Sequence, residues 1–261
     1  MSVPVELLGR TLILAAHPDD EAAGCGALLQ RIREPMVVFA TDGAPRDDGF
    51  WRHYGSRLRY ARRRQEEAYA ALAHAGVSEI VFLADGAGAQ DSFIDQELHR
   101  SIPEAVLVLT EMIYRLRPQA LLTLAYDGGH PDHDVCSFIG AVLARAHRLP
   151  IWEFPLYHRP PGRGIVFQRF AEPGEGEAEL EITLQEVAVK RQMLADYSSQ
   201  HPFLLQFNPI AERLRFQPRY DYSQPPHPGL LNYEAWQWPV TGREVCAAFQ
   251  RFMQMARRQA G

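Results

Sequence analysis

The chain has 261 residues, 46% hydrophobic and 23% charged, which suits one large α/β domain and excludes a disordered or low-complexity polypeptide. Its net charge of −5 argues against a nucleic-acid binder, whose surface is usually basic. Cys25, Cys136 and Cys246 are widely spaced with no CxxC pair, so neither a disulfide framework nor a cysteine metal cage is expected. The first ten residues carry no basic leader and no apolar run long enough to span a membrane. A cytoplasmic protein with no nucleic-acid partner is the expectation.

Residues 11–16, Thr-Leu-Ile-Leu-Ala-Ala, form a continuous apolar run, as in a strand buried on both faces of a parallel sheet. It ends abruptly in His17-Pro18-Asp19-Asp20-Glu21, and apolar residues at helical spacing follow to Arg33. Residues 36–41 read as a second strand closed by the turn Asp42-Gly43-Ala44-Pro45, and 46–56 as a polar-aromatic loop. Helix is expected over 57–75 with Gly76 as its cap, and a third strand over 79–84, ending at Asp85-Gly86. A long helical pattern covers 91–116, with Pro103 as a break or first-turn position.

Residues 119–125 read as a fourth strand running into Tyr126-Asp127-Gly128-Gly129-His130-Pro131-Asp132-His133. A helix to about Ala146 and a fifth strand near 149–154 follow. This alternation predicts an α/β, Rossmann-like, doubly wound and mostly parallel sheet. Beyond residue 160 the strands 165–170 and 179–184 suggest a β-hairpin, with a helix over 184–197, an irregular proline- and aromatic-rich wrap over 198–229 and a terminal helix over 243–258. One domain over 1–261 is expected, with its core at 8–160 and this C-terminal hairpin and helical extension at 161–261. No GxGxxG follows the first strand, which disfavours a nicotinamide or flavin cofactor.

Both His/Asp segments fall at strand carboxyl ends, where α/β sheets bind their ligands. Carboxylates as close as Asp19, Asp20 and Glu21 repel one another, and a divalent cation relieves that repulsion. An acidic helix start would account for one such cluster. Two of them, each supplying His and Asp, point to a metal hydrolase, since catalytic zinc takes about three His or carboxylate ligands and keeps a position open. The residue pattern leaves open which of Asp19 and Asp20 is the ligand.

Ala16-His-Pro-Asp-Asp-Glu21, Thr41-Asp-Gly43, Arg64-Gln-Glu-Glu-Ala68, Asp85-Gly86 and Gly129-His-Pro-Asp-His133 together resemble the zinc-dependent N-acetylglucosamine de-N-acetylases, the PIG-L/LmbE-like family. The resemblance covers about residues 8–150 and extends loosely to 190–200. It implies His17, Asp20 and His133 as zinc ligands, in sites that iron can also occupy, with Asp19 as the general base. It implies His130 as support for the oxyanion and proton donor to the leaving amine, oriented by Asp132, and Arg64 and Asp85 as substrate contacts. A cationic His130 would stabilise a tetrahedral oxyanion. The implied substrate is a small amino-sugar conjugate, with homo-oligomers possible.

Blander readings stand beside these: Asp132 as a helix cap, Arg64 as one exposed arginine among three, and Asp85 as a turn residue. Tyr126 and Tyr233 are candidates for a tyrosine beside the oxyanion, His158, His201 and His227 have no matching partner, and Glu21 has no chemical role. Two other functions remain open: an amidase or carbamoyl-type hydrolase acting on a non-sugar amide, and a non-catalytic sugar- or metal-binding module.

Overall fold

In a computed structural model describing residues 3–86, 92–174 and 176–260, the apolar run after the first short turn becomes β1 (Arg10–Ala15), buried from Thr11 onward. It is followed by α1 (Asp20–Leu29), β2 (Glu34–Phe39), α2 (Arg57–His74), β3 (Glu79–Phe82), α3 (Ile102–Leu116), β4 (Ala120–Leu124), α4 (Pro131–His147) and β5 (Ile151–Phe154). The chain continues through β6 (Tyr157–His158), β7 (Val166–Phe167), β8 (Ala178–Glu179), α5 (Leu184–Asp196), α6 (His201–Leu204), β9 (Arg213–Phe216), α7 (Asn232–Ala235) and α8 (Gly242–Ala260).

Seven strands form one sheet in the order β3-β2-β1-β4-β5-β9-β8. The first five are parallel, as the alternating pattern predicts, and β9 and β8 add antiparallel at one edge. From β1 the chain winds to β2 and β3 on one side and to β4 and β5 on the other. The carboxyl ends of β1 and β4, which pair from Thr11↔Ala120 to Leu14↔Thr123, therefore flank the switch point where such sheets open a crevice. His17–Glu21 and His130–His133 leave from those two ends.

Three expectations need correction. Residues 92–101 hold no α-helix, only a 3-10 turn at Leu98–Arg100: α3 starts at Ile102, and Phe93 and Gln96 take positive φ values of 60° and 71°. This loop is shaped by distant partners, the Asp132 carboxylate accepting from the amides of Gln96 (2.6 Å) and Leu98 (3.0 Å) and the Asp42 amide donating to the Phe93 carbonyl (2.9 Å). The hairpin beyond the core joins β6 to β7 rather than 165–170 to 179–184. The expected second strand keeps only β8, which pairs with β9, because Thr183 and Glu186 cap each other in a capping box that starts α5. Finally, 198–229 is not wholly irregular, since it contains β9.

Helix α1 breaks at Cys25 (φ −142°, ψ 24°). The freed amides of Ala27 and Leu28 donate to the buried Glu212 carboxylate at 2.7 and 3.0 Å, an anion placed at a helix start. Lys190 of α5, fully buried, donates to Glu212 at 2.7 Å. No helix among the described residues is long and apolar enough to cross a membrane.

Candidate metal centre

His17 leaves β1 as the sheet ends, and Asp19 caps α1 with φ 129°, a value that β-carbon-bearing residues rarely adopt. Asp20 turns back, accepting the amides of Ala16 (3.0 Å) and His17 (2.8 Å). Across the switch point His130 caps α4, accepting the Asp132 amide at Nδ1 (3.1 Å). Gly129 precedes it because a β-carbon there would stand 1.8 Å from the Tyr157 carbonyl oxygen.

The two segments meet. The Asp20 carboxylate lies 3.5 Å from His17 Nδ1 and 3.2 Å from His133 Nε2, bridging two of the expected ligands. His17, His130 and His133 bring one ring nitrogen each within 4.8 Å of one another, as do the donor atoms of His17, Asp95, His130 and Asp132. All of these side chains are buried. His133 Nδ1 is buried without a hydrogen-bond partner, a state that ordinarily costs stability, and Asp95 Oδ1 has only the imidazole nitrogens of His17 and His130, at 3.2 and 3.3 Å and poorly aligned; a cation among the carboxylates would relieve both. The donor set, imidazole and carboxylate without thiolate, suits a divalent ion such as zinc or iron.

Arg64 is buried, not one of three exposed arginines. It donates to the carbonyls of Gly43 and Pro18, both at 2.6 Å, and lies 3.2 Å from Asp19. Burial pushes the Asp19 carboxyl up to about 7 although Arg64 pulls the other way. Burial also acts to raise Asp20 and Asp95, yet His133 and His17 beside the first, and His17 and His130 beside the second, hold both well below the usual carboxylate range. Burial and the neighbouring His17 bring His130 down to about 4. Because Nδ1 accepts the Asp132 amide, the ring proton sits on Nε2. Burial and His17 thus favour the neutral imidazole over the expected cation, and a divalent cation nearby would act in the same direction.

Asp132 meets His130 through its backbone amide, its carboxylate standing 3.9 Å from His130 Nδ1 and engaged elsewhere. Its carboxylate lies 3.1 Å from His17 Nε2 and holds the Gln96 and Leu98 amides. Asp85 is not brought to the centre: it is exposed, accepts from Gln65 at 2.8 Å and does not line the cavity. Its residues toward 87–91 fall outside the described ones. Tyr126 donates to the Gln224 carbonyl and Tyr233 to Asp134, both away from the cavity, which is lined instead by Tyr60 and Tyr157. His158 and His227 are buried elsewhere, and His201 is exposed.

The site that emerges is a cavity of about 210 Å³ over the centre, lined by Asp19, Arg64, Asp95, His130, Gln200 and an aromatic wall that includes Phe203, Phe207, Trp236 and Trp238. Asp95 was not recognisable from sequence. It lies 3.2 Å from His17 Nε2, 3.3 Å from His130 Nε2 and 3.7 Å from Arg64. Glu21 is also fully buried, accepting the Asp19 amide at 3.2 Å and the Tyr197 hydroxyl.

Fold and site thus define a doubly wound α/β protein whose switch point holds a buried His/Asp centre fit for a divalent metal. Residues 12–144, just over half of the chain, match the GlcNAc-PI de-N-acetylases (PIG-L), and the chain belongs to that family. It is 31% identical over 153 residues to a 1D-myo-inositol 2-acetamido-2-deoxy-α-D-glucopyranoside deacetylase of Streptomyces griseus. That match covers 48% of this chain and 44% of the relative, less than half the relative's length. Among solved structures, a deacetylase of the teicoplanin biosynthesis pathway superposes with a TM-score of 0.62 at 20% identity, covering 81% of this chain and 99% of that one. The N,N'-diacetylchitobiose deacetylase of Pyrococcus horikoshii gives 0.54 at 18% identity, covering 80% and 84%. At such identities the likeness speaks for the fold.

Proposed function

We propose that this chain is a zinc-dependent hydrolase that removes the acetyl group from an N-acetylglucosamine-type conjugate, giving the free amine and acetate. One observation carries the reading. Asp19, pushed up to about 7, lines the cavity beside Arg64 and the His17, Asp20 and His133 donors, with His130 in the same cavity. A binding module needs no such base. The family and the acetamido-sugar substrate named for the Streptomyces relative support the substrate class.

A divalent metal held by His17, Asp20 and His133 would supply the Lewis acidity that brings water toward a pKa of about 7 and polarises the acetamide carbonyl. Asp19 takes the proton of the attacking water, and its raised pKa suits it to hand that proton to the leaving nitrogen. The neutral His130 donates its Nε2 hydrogen to the carbonyl oxygen as charge gathers there. Asp95 and Arg64 are placed to bind sugar hydroxyls, in the role the resemblance gave to Asp85 and Arg64. The three cysteines are unpaired and buried, in keeping with a reducing, cytoplasmic setting.

Replacing Asp19 by Asn tests the reading: acetate release should fall by about 10²- to 10⁴-fold with metal content unchanged. Full activity in that variant would remove Asp19 from the chemistry.

A further inference from the structure

The proposed chemistry uses only Arg64 of the segment Arg64-Gln-Glu-Glu67-Ala68. Glu67 lies one turn further along the same face of α2, which also carries Tyr60, and all three side chains are buried. We infer that Glu67 is a positioning residue: through Ser199 it fixes which end of the Gln200 amide is left to the cavity, so that this wall accepts hydrogen bonds from substrate. The substrate half of the inference rests on the deacetylase reading above.

The polarity of the network starts at the carboxylate. Glu67 Oε1 accepts from Arg63 Nε (2.9 Å), the Ser198 hydroxyl (2.8 Å) and the Ser199 amide (3.0 Å), and Oε2 accepts from the Ser199 hydroxyl (2.6 Å). A carboxylate has no hydrogen to return. The Ser199 hydroxyl therefore gives its one hydrogen to Glu67 and can only accept from any other neighbour. Gln200 meets that lone pair with Nε2 at 2.9 Å and gives its second amide hydrogen to the Tyr60 hydroxyl at 2.6 Å. Both amide hydrogens are thus engaged within the protein. Gln200 lines the cavity, and Oε1 is the polar atom it has left for a ligand there.

A side-chain amide is nearly symmetric in shape, so its partners alone decide its orientation. Tyr60 cannot decide it, because a hydroxyl either gives or accepts. Ser199 would be equally indifferent without Glu67. The choice is therefore made two side chains away from the cavity, on a face of α2 that also supplies Arg64 to it.

Glu67→Gln keeps the shape and reverses the relay. The introduced amide must keep its oxygen toward the Ser199 backbone N–H, which cannot turn, and toward Arg63. Its NH2 then falls on the Ser199 hydroxyl, which in turn donates to Gln200, and the Gln200 amide turns its hydrogens to the cavity. With the metal-loaded full chain and N-acetylglucosamine, KM in E67Q should rise about tenfold while kcat changes by less than about threefold. In an S199A background, where the relay is cut, E67Q should leave KM unchanged. An unchanged KM in E67Q, or a rise as large in the S199A background, would overturn the inference.

A second readout needs no turnover. The side-chain amide resonances of Gln200, assigned by their absence in Q200E, should exchange slowly with solvent in the wild-type chain. In E67Q and in S199A they should exchange about tenfold faster or more, and equal rates in all three overturn the inference. If no acetylated sugar is hydrolysed, the deacetylase reading fails. The exchange rates then decide by themselves whether Glu67 sets the amide: faster exchange in E67Q sustains it, and equal exchange overturns it.

Discussion

The hydroxyl of Tyr197, at the end of α5, donates to Glu21, whose other oxygen accepts the amide of Asp19. A residue about 180 positions away thus supports the backbone of the proposed base, held at φ 129°, a conformation costing about 1–3 kcal/mol. Burial pushes Glu21 up to about 8, against the pull of the Tyr197 hydrogen bond. Tyr197→Phe should therefore lower kcat by about 10- to 100-fold with KM and metal content little changed. Steady-state kinetics paired with metal analysis would show this, and an unchanged kcat would disprove the support.

Metal removal gives a second expectation. Chelation should abolish acetate release, and zinc should restore it. Because the ion would bind only the folded centre, saturating zinc at about 1,000 times its dissociation constant should stabilise the protein by about 4 kcal/mol. The rise in melting temperature measures this effect. It should vanish in His133→Ala and in Asp20→Asn; a rise that survives both substitutions would place the ion elsewhere.

The broken helix α1 supplies a third. Lys190 and Glu212 are fully buried partners, and removing one leaves an uncompensated charge, at a cost of about 3–5 kcal/mol. Glu212→Ala should be the harsher change, since it also orphans the Ala27 and Leu28 amides, whereas Lys190→Met leaves Glu212 those two donors. Urea unfolding of the two variants gives the order.

Acid stability supplies a fourth. Hydrogen bonds from Arg31 hold Glu186 down at about 2, below its usual 4.5. A carboxylate depressed in the fold stabilises above its unfolded pKa and loses that contribution as pH falls. The share due to Glu186 is present above about pH 4.5 and fades toward pH 2. Glu186→Gln keeps a side chain able to cap Thr183 but cannot pair with Arg31. Its deficit, about 1 kcal/mol or less for a pair near the surface, should be seen near neutral pH and should close toward pH 2. A deficit independent of pH would point to the cap instead.

The parallel core and both His/Asp segments were legible because their signals are local. An apolar run followed at once by concentrated charge marks a buried strand meeting a site, at His17 and again at His130. Asp95 gave no such signal, since its loop is drawn into shape by Asp132 and Asp42 from other parts of the chain. Strand β9 was hidden by its own charges: Arg213 and Arg215 read as loop residues until Glu179 and Glu153 are set beside them. Trp236 and Trp238 line the cavity from the turn that closes a helix of four residues, too short for any periodicity to announce.

Asp132 holds the loop bearing Asp95 by two amides while its carboxylate rests against His17. The loop and the His17 imidazole are tied through that one side chain, so the loop cannot leave without Asp132 giving up its amides or following it away from His17. Exposure of the Gln96 and Leu98 amides to solvent and dismantling of the centre are therefore a single event with a single free energy. The hydrogen exchange of two backbone amides outside the proposed ligand set thus becomes a gauge of whether the centre is assembled. It should slow by the same factor by which a bound metal closes the site.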